Sequence, residues 1–437
     1  MSFRFLLTFL IAALPSATNA LPPSTSYDLI GYWGQNLAKN QYRSVADYEP
    51  PLATLCQTTN YTIYHISFMY LHFDATGLSG IDLDYHCQWP TNKFNGYPNP
   101  TKGINVLNCP DVGKDIAVCQ ALGKKVMISI SPQDYLSSQD DAIRSATNVW
   151  NLFLGGSSTY RPFGSVVLNG IDLRIWNNDP NPQYYTTFIS KIKEFMNADT
   201  GRKYYIGGTT LCQYPDVLLG GSNRPSTPLA TIPTLFDYLS PYFISSPNIC
   251  GWKGNNAGFW SFINQWSAFI ASFTPNTKLF VGLPSWYTPE WVNAAAGDYI
   301  PPNELYDMNV IPTLKNLTGF TGFSLVDTSF DVHNLPCSNF PNRRFSDVLN
   351  GQLLLDASAA GVNTPADQKC QFRNQTVGGT TATTTTKSSS TVIRDDNKSC
   401  IFLGTCPDSS GWGIGAGMTV FSLMAPALLI VIMGAFF

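Results

Sequence analysis

Apolar and β-branched residues recur along this chain in short runs separated by amphipathic stretches, from Tyr27 to about Leu355. The candidate strands are Tyr27–Trp33, Thr62–Tyr70, Lys124–Ser131, Ser165–Asp172, Lys203–Thr209, Leu235–Phe243, Lys278–Pro284 and Phe320–Val326. Between most of them the apolar spacing becomes helical, as in Tyr184–Phe195 and Phe259–Phe273. Eight such strand–loop–helix units in about 330 residues predict an α/β fold, a (β/α)8 barrel; pattern alone also allows a doubly wound parallel sheet.

The stretch from Ser165 to Trp176 carries the most chemistry. It follows a Pro-Phe-Gly turn (Pro162 to Gly164), begins apolar and β-branched, then alternates polar and apolar residues through Asn169, Asp172, Arg174 and Trp176. It ends in loop formers at Asn177-Asn178-Asp179-Pro180. This reads as a buried parallel strand whose last residues emerge into a loop.

At 437 residues the chain holds one large barrel plus appendages. A net charge of −3 argues against a nucleic-acid partner. Charged residues make up only 13%, so solubility is expected to come from glycans and uncharged polar groups. Residues 1–20, with Arg4 followed by an apolar run and small residues up to Ala20, predict a secretory signal peptide. Residues 21–373 are assigned to the barrel and a C-terminal extension. Residues 374–408 include a Thr/Ser-rich run without apolar period, expected to be an O-glycosylated stalk. Met418 to Phe437 carries no charge and follows small residues at Ser409-Ser410-Gly411. Residues 409–437 therefore fit a glycosylphosphatidylinositol attachment signal, with Ser409 or Ser410 as acceptor, better than a permanent span. The expectation is a secreted protein held at the cell surface, on the plasma membrane or transferred to the cell wall, through a lipid anchor. Asn60, Asn316, Asn374 and Asn397 each open a glycosylation sequon. Ten cysteines beside a signal peptide predict disulfides, whose pairing the spacing does not fix.

Several ordered segments together resemble glycoside hydrolase family 18, in its class III, hevamine-type branch. They include Ile30-Gly31-Tyr32-Trp33-Gly34-Gln35-Asn36, Tyr64-His65-Ile66-Ser67-Phe68, Gly123 to Ile130, Cys212-Gln213-Tyr214-Pro215-Asp216, Gly282-Leu283-Pro284 and Tyr299-Ile300-Pro301-Pro302. The resemblance implies a TIM barrel, and with the stalk and tail it points to a fungal, lipid-anchored member. It also implies disulfides Cys56 with Cys119, Cys87 with Cys109, and Cys212 with Cys250, leaving Cys337, Cys370, Cys400 and Cys406 to pair among themselves.

Family members carry Asp-Gly-Ile-Asp-Phe-Asp-Ile-Glu on the fourth barrel strand. Here Asn169 stands at the first Asp, Asp172 keeps the second, Arg174 replaces the third, and Trp176 replaces the general-acid glutamate. In the family the substrate's own acetamido oxygen attacks the anomeric carbon while that glutamate protonates the leaving oxygen. An indole N–H is a hydrogen-bond donor and no acid near neutral pH. Losing general acid catalysis removes about 10²–10⁴ in rate. A permanent cation at Arg174 would oppose the developing positive charge by about 3–4 kcal/mol at an effective dielectric of about 20. The family's sixth-strand tyrosine, which holds the acetamide, falls on Ile244, the neighbouring glutamine on Tyr242, and the eighth-strand tryptophan on Val326. The Gly-Gly after the third strand has become Ser131-Pro132-Gln133, and Asp172 and Asp134 are the candidate replacement acids. Asp172 is expected to pair with Arg174, which would keep its pKa low. The expectation is a catalytically inactive pseudoenzyme.

A sugar cleft survives on this reading. By resemblance Tyr32, Gln35 and Asp82 match N-acetylglucosamine contacts, while Trp176, Tyr242, Trp286, Tyr287 and Trp291 add aromatic surface suited to sugar faces. Each aromatic has barrel or loop packing as its bland alternative, and Trp176 either lines or plugs the innermost subsite. The expected function is binding of chitin or N-acetylglucosamine oligomers by a monomer, masking or sequestering them. The alternatives are a protein-binding, inhibitor-like barrel and a weakly active chitinase in cell-wall remodelling. His65, His72, His86 and His333 form no helical pair, so no metal or cofactor is expected.

Overall fold

The computed structural model describes residues 27–38 and 48–354, apart from 75, 89, 98–105, 132–134, 175–180, 223, 245–246, 287–297 and 339–341. The segments expected to be signal peptide, stalk and attachment signal, and the sequons at Asn374 and Asn397, lie outside the described residues.

Among the described residues nine strands form one sheet: β1 (Asp28–Trp33), β2 (Ile63–Phe73), β3 (Ser79–Ile81), β4 (Lys125–Ile130), β5 (Gly170–Leu173), β6 (Tyr205–Leu211), β7 (Tyr238–Tyr242), β8 (Lys278–Pro284) and β9 (Phe320–Val326). β3 pairs antiparallel with β2 alone. The others are parallel to their neighbours, and pairing of β1 with both β2 and β9 closes them into a ring. The fold is therefore a TIM barrel, and the open doubly wound alternative is excluded because such a sheet keeps two free edges.

The predicted strand from Ser165 shortens to Gly170–Leu173 because its first residues spend their backbone groups elsewhere. The Val166 carbonyl accepts from Arg161, the Val167 carbonyl from Gln120, and the Leu168 amide donates to Phe153. Gly170 then begins the ladder where no side chain fits: a Cβ there would lie 1.9 Å from the Tyr205 carbonyl oxygen. The helix predicted over Tyr184–Phe195 extends to Pro182–Ala198, starting on a proline whose missing N–H costs nothing in the first turn. That predicted over Phe259–Phe273 begins at Asn256, capped by the Asn255 side chain accepting from the Gly258 amide. These helices and the strands' outward faces bury one continuous apolar layer.

The barrel's interior is separate from that layer. Its lower part is filled by Ile30, Ile63, Met127, Tyr238 and Phe280. Tyr238 reaches across because residue 207 is glycine; a Cβ there would lie 2.1 Å from the tyrosine ring.

Disulfides join Cys56 to Cys119, Cys87 to Cys109 and Cys212 to Cys250, the pairing implied by resemblance. Cys337 is also disulfide-bonded. Cys370, Cys400 and Cys406 lie outside the described residues.

Candidate active site on the barrel's C-terminal face

Strand alternation turns Asp172 inward from the middle of β5, and Arg174 follows just past the strand's end. Both side chains are fully buried. Asp172 Oδ2 accepts hydrogen bonds from the Ser129 hydroxyl at 2.7 Å and the Tyr32 hydroxyl at 3.0 Å. Its Oδ1 accepts from the Thr209 hydroxyl at 2.7 Å. His65 Nδ1 stands 3.3 Å from Oδ2, and the other ring nitrogen is 2.6 Å from the Tyr238 hydroxyl. Burial alone would raise the Asp172 pKa, but His65 and the hydroxyl donors outweigh it and hold the carboxyl below its ordinary value.

This corrects the expected Asp172–Arg174 pair. The acid is held low as anticipated, but its partners are His65 and three hydroxyls. Two residues separate the inward side chains by about 6.6 Å along a strand, which lifts Arg174 into the next layer. There its guanidinium donates to the Tyr242 hydroxyl at 3.1 Å. It lies 4.9 Å from the Tyr32 ring centre, 5.1 Å from Phe68 and 4.9 Å from Tyr242, within cation–π range of all three. Burial pushes the Tyr242 and Tyr32 phenols up, so neither ionises at neutral pH.

The other sequence-predicted residues occupy varied places. Tyr32 is 2% exposed and Tyr242 1%, their rings facing Arg174. Gln35 is buried and donates from Nε2 to the carbonyls of Ser67 at 2.7 Å and Asp82 at 3.2 Å. Asp82 pairs through its backbone with Phe68 and accepts the Asp84 amide on its carboxylate; burial raises its pKa. Trp286 is half-buried and stacked on Phe330, with ring centres 6.0 Å apart. Ile244 and Val326 are buried. Trp176, Tyr287, Trp291 and Asp134 lie outside the described residues.

Asn169, at the lower end of the strand, is structural. Its Oδ1 accepts the Val126 amide at 2.9 Å and the Gln120 side chain at 3.0 Å. The residues that sequence reasoning missed are His65, Ser129, Thr209 and Tyr238. The parallel register opposes His65 to Tyr32, so period-two spacing on β2 held the signal.

No family model matches the chain. The "Basic endochitinase" of Nicotiana tabacum is 31% identical over 334 residues, which cover 76% of this chain and 94% of that protein. The chain belongs to the family 18 chitinases. Among solved structures, the ICChI chitinase from Ipomoea carnea is 27% identical, covering 74% of this chain and 99% of its own at a TM-score of 0.55. The xylanase and α-amylase inhibitor protein from Scadoxus multiflorus is 25% identical, covering 75% and 98% at a TM-score of 0.52. In this family 18 barrel, described residues at the end of β5 provide a carboxylate already satisfied by donors and a guanidinium seated among rings. The Asp172 carboxyl, held below its ordinary value, carries no proton at neutral pH to give to a leaving group.

Proposed function

We propose that this family 18 barrel does not hydrolyse chitin and instead binds chito-oligosaccharides along the rim of its C-terminal face. The observation that carries the reading is the buried Arg174, caged by Tyr32, Phe68 and Tyr242 in the barrel mouth. A cation there opposes an oxazolinium-like charge, and Asp172 below it is held ionised. Because Tyr32 and Tyr242 are spent on Arg174, sugar contact falls to outer groups, of which Trp286 is the described candidate and Trp291 its sequence neighbour. The protein is secreted and lipid-anchored on this proposal, supported by the charge-free stretch Met418 to Phe437 after Ser409-Ser410-Gly411.

A second reading has its own support. The burial of Tyr32, Gln35 and Tyr242 accounts for each of them without a sugar, and a 25% identical structure is that of an enzyme inhibitor. On that reading the barrel's outer surface binds a protein.

Calorimetric titration of the secreted protein with chitohexaose, followed by chromatography of the recovered sugar, separates these readings. Micromolar binding of intact hexamer is the expected outcome. Absence of heat favours the protein-binding reading, and shorter oligomers would overturn the loss of catalysis. The anchor is checked separately: phosphatidylinositol-specific phospholipase C is expected to release the protein from cell membranes, and retention after digestion argues for a spanning tail.

A further inference from the structure

Glu49 lies three residues before the helix Leu52–Thr58, and its carboxyl is buried at the C-terminal end of the barrel. Its Oε2 accepts the Gly34 amide at 2.8 Å and stands 3.1 Å from His86 Nε2. Its Oε1 meets the Thr328 hydroxyl, its amide donates to Asn36 Oδ1 at 2.7 Å, and its carbonyl accepts from the Tyr85 hydroxyl. One residue thus ties together the loops that follow β1, β3 and β9. Asp327 reinforces the knot, accepting the Leu37 amide at 3.1 Å, the Ser329 hydroxyl at 2.6 Å and the Phe330 amide at 3.1 Å.

Counting hydrogens places a proton in this knot. Thr328 Oγ1 is bonded to Glu49 Oε1 and also lies 3.0 Å from the Tyr32 carbonyl oxygen. A hydroxyl has one hydrogen and a carbonyl has none, so an ionised Glu49 leaves one of these two contacts without a hydrogen. A protonated Glu49 satisfies both, donating to Thr328, which donates to Tyr32.

The charges facing the group point the same way. From the loop after β3 come Asp84, itself bonded to Asn36 at 3.2 Å, and His86; from the loop after β9 comes Asp327; β2 contributes the Tyr64 phenol. Burial pushes His86 down to about 4, against the pull of Asp84, Asp115 and Asp327, so it stays neutral and supplies no counter-charge. Among the described residues no lysine or arginine pairs with Glu49.

We propose that Glu49 is a proton-operated latch: protonated, it fastens the loops after β1, β3 and β9 into one wall of the barrel mouth, and losing the proton loosens them. Burial, countered only partly by the Thr328, Gly34 and Asn36 bonds and helped by Asp84, raises the Glu49 carboxyl to about 8. Asp327 rises to about 7 through burial and the nearness of Glu49. A folded-state pKa above the ordinary 4.5 means that folding takes up a proton between the two values. The stabilisation is full below about pH 4.5 and is lost as pH rises through about 8.

The test compares the full-length secreted protein with its Glu49→Gln variant by thermal melting from pH 5 to pH 9. Glutamine keeps the shape, donates to Thr328 and accepts from Gly34 at every pH. The variant's Tm minus the wild-type Tm is expected to climb by at least about 5 °C over that range. Contributions from Asp82 and Asp331 are shared by both proteins and largely cancel; that of Asp327 shrinks in the variant, because Glu49 is part of its cause, and so adds to the climb in the same direction. A difference that stays constant with pH would overturn the latch. Should the variant not fold, the wild-type Gly34 amide resonance decides: titration near pH 8 is expected, and titration below pH 5 refutes the proposal.

Discussion

Arg174→Asp, Trp176→Glu and Ile244→Tyr, made together, are expected to give the protein at least a hundredfold more chitohexaose hydrolysis than the unmodified chain, while leaving it a slow chitinase. The direction follows from three separate gains. A glutamate at position 176 restores a group able to protonate the leaving oxygen, worth about 10²–10⁴ in rate. Removing the Arg174 cation relieves about 3–4 kcal/mol of opposition to positive charge at the anomeric carbon. An aspartate in its place lies one layer above Asp172, and two nearby carboxyls push one pKa upward. The shortfall also has physical causes. Ile244 is buried, so a tyrosine there has to displace packed neighbours at about 1–3 kcal/mol. Val326 still leaves the pocket without the family's tryptophan floor, and Tyr242 loses the guanidinium that its hydroxyl now receives. Product chromatography after a timed incubation measures the effect. Turnover by the unmodified protein equal to that of the triple variant would refute the inactive reading.

The sequence carried the barrel well because eight apolar runs alternating with amphipathic helices have few closed arrangements. It misplaced the start of β5, since Ser165 to Leu168 look like a strand in composition while the Val166 carbonyl is claimed by Arg161, just before the preceding turn, and the Val167 carbonyl by Gln120, 47 residues earlier. The identity of Asp172 as a survivor was legible; its partners were not. A strand pattern shows that Asp172 and Arg174 both point inward, but layer height decides who meets whom, and closing the ring brings Tyr32, Ser129 and Thr209 from three other strands. His65 is part of the same layer, and read alone it is only a histidine without a helical partner. The Glu49 knot was wholly unread, because its members are separated by up to 296 residues and joined by backbone groups that composition does not display.

Asp172→Ala is expected to destabilise the protein by about 3–5 kcal/mol, a large part of a domain's usual 5–15. The carboxylate is the common acceptor for Tyr32, Ser129 and Thr209, and the neighbour of His65, all within a fully buried layer. Truncation takes the acceptor from Ser129 and leaves the Tyr32 and Thr209 hydroxyls, 2.8 Å apart, with only each other, and each orphaned donor costs about 1–3 kcal/mol. Asp172→Asn is expected to cost less, because hydroxyls can turn to accept from the new amide while Oδ1 still takes Thr209. The pH dependence separates charge from shape. The folded carboxyl lies below its ordinary 3.8, so the native state holds fewer protons than the unfolded chain there. That contribution is present above about pH 4 and is lost as the pH falls through the folded value. Melting in acid should therefore fall less steeply for Asp172→Asn than for wild type, whereas Glu49 acts on the opposite limb, where alkali removes its proton. Together the two carboxyls set a stability maximum in mildly acidic conditions. Parallel acid limbs for wild type and Asp172→Asn would mean that Asp172 is held by shape alone, with its charge contributing nothing.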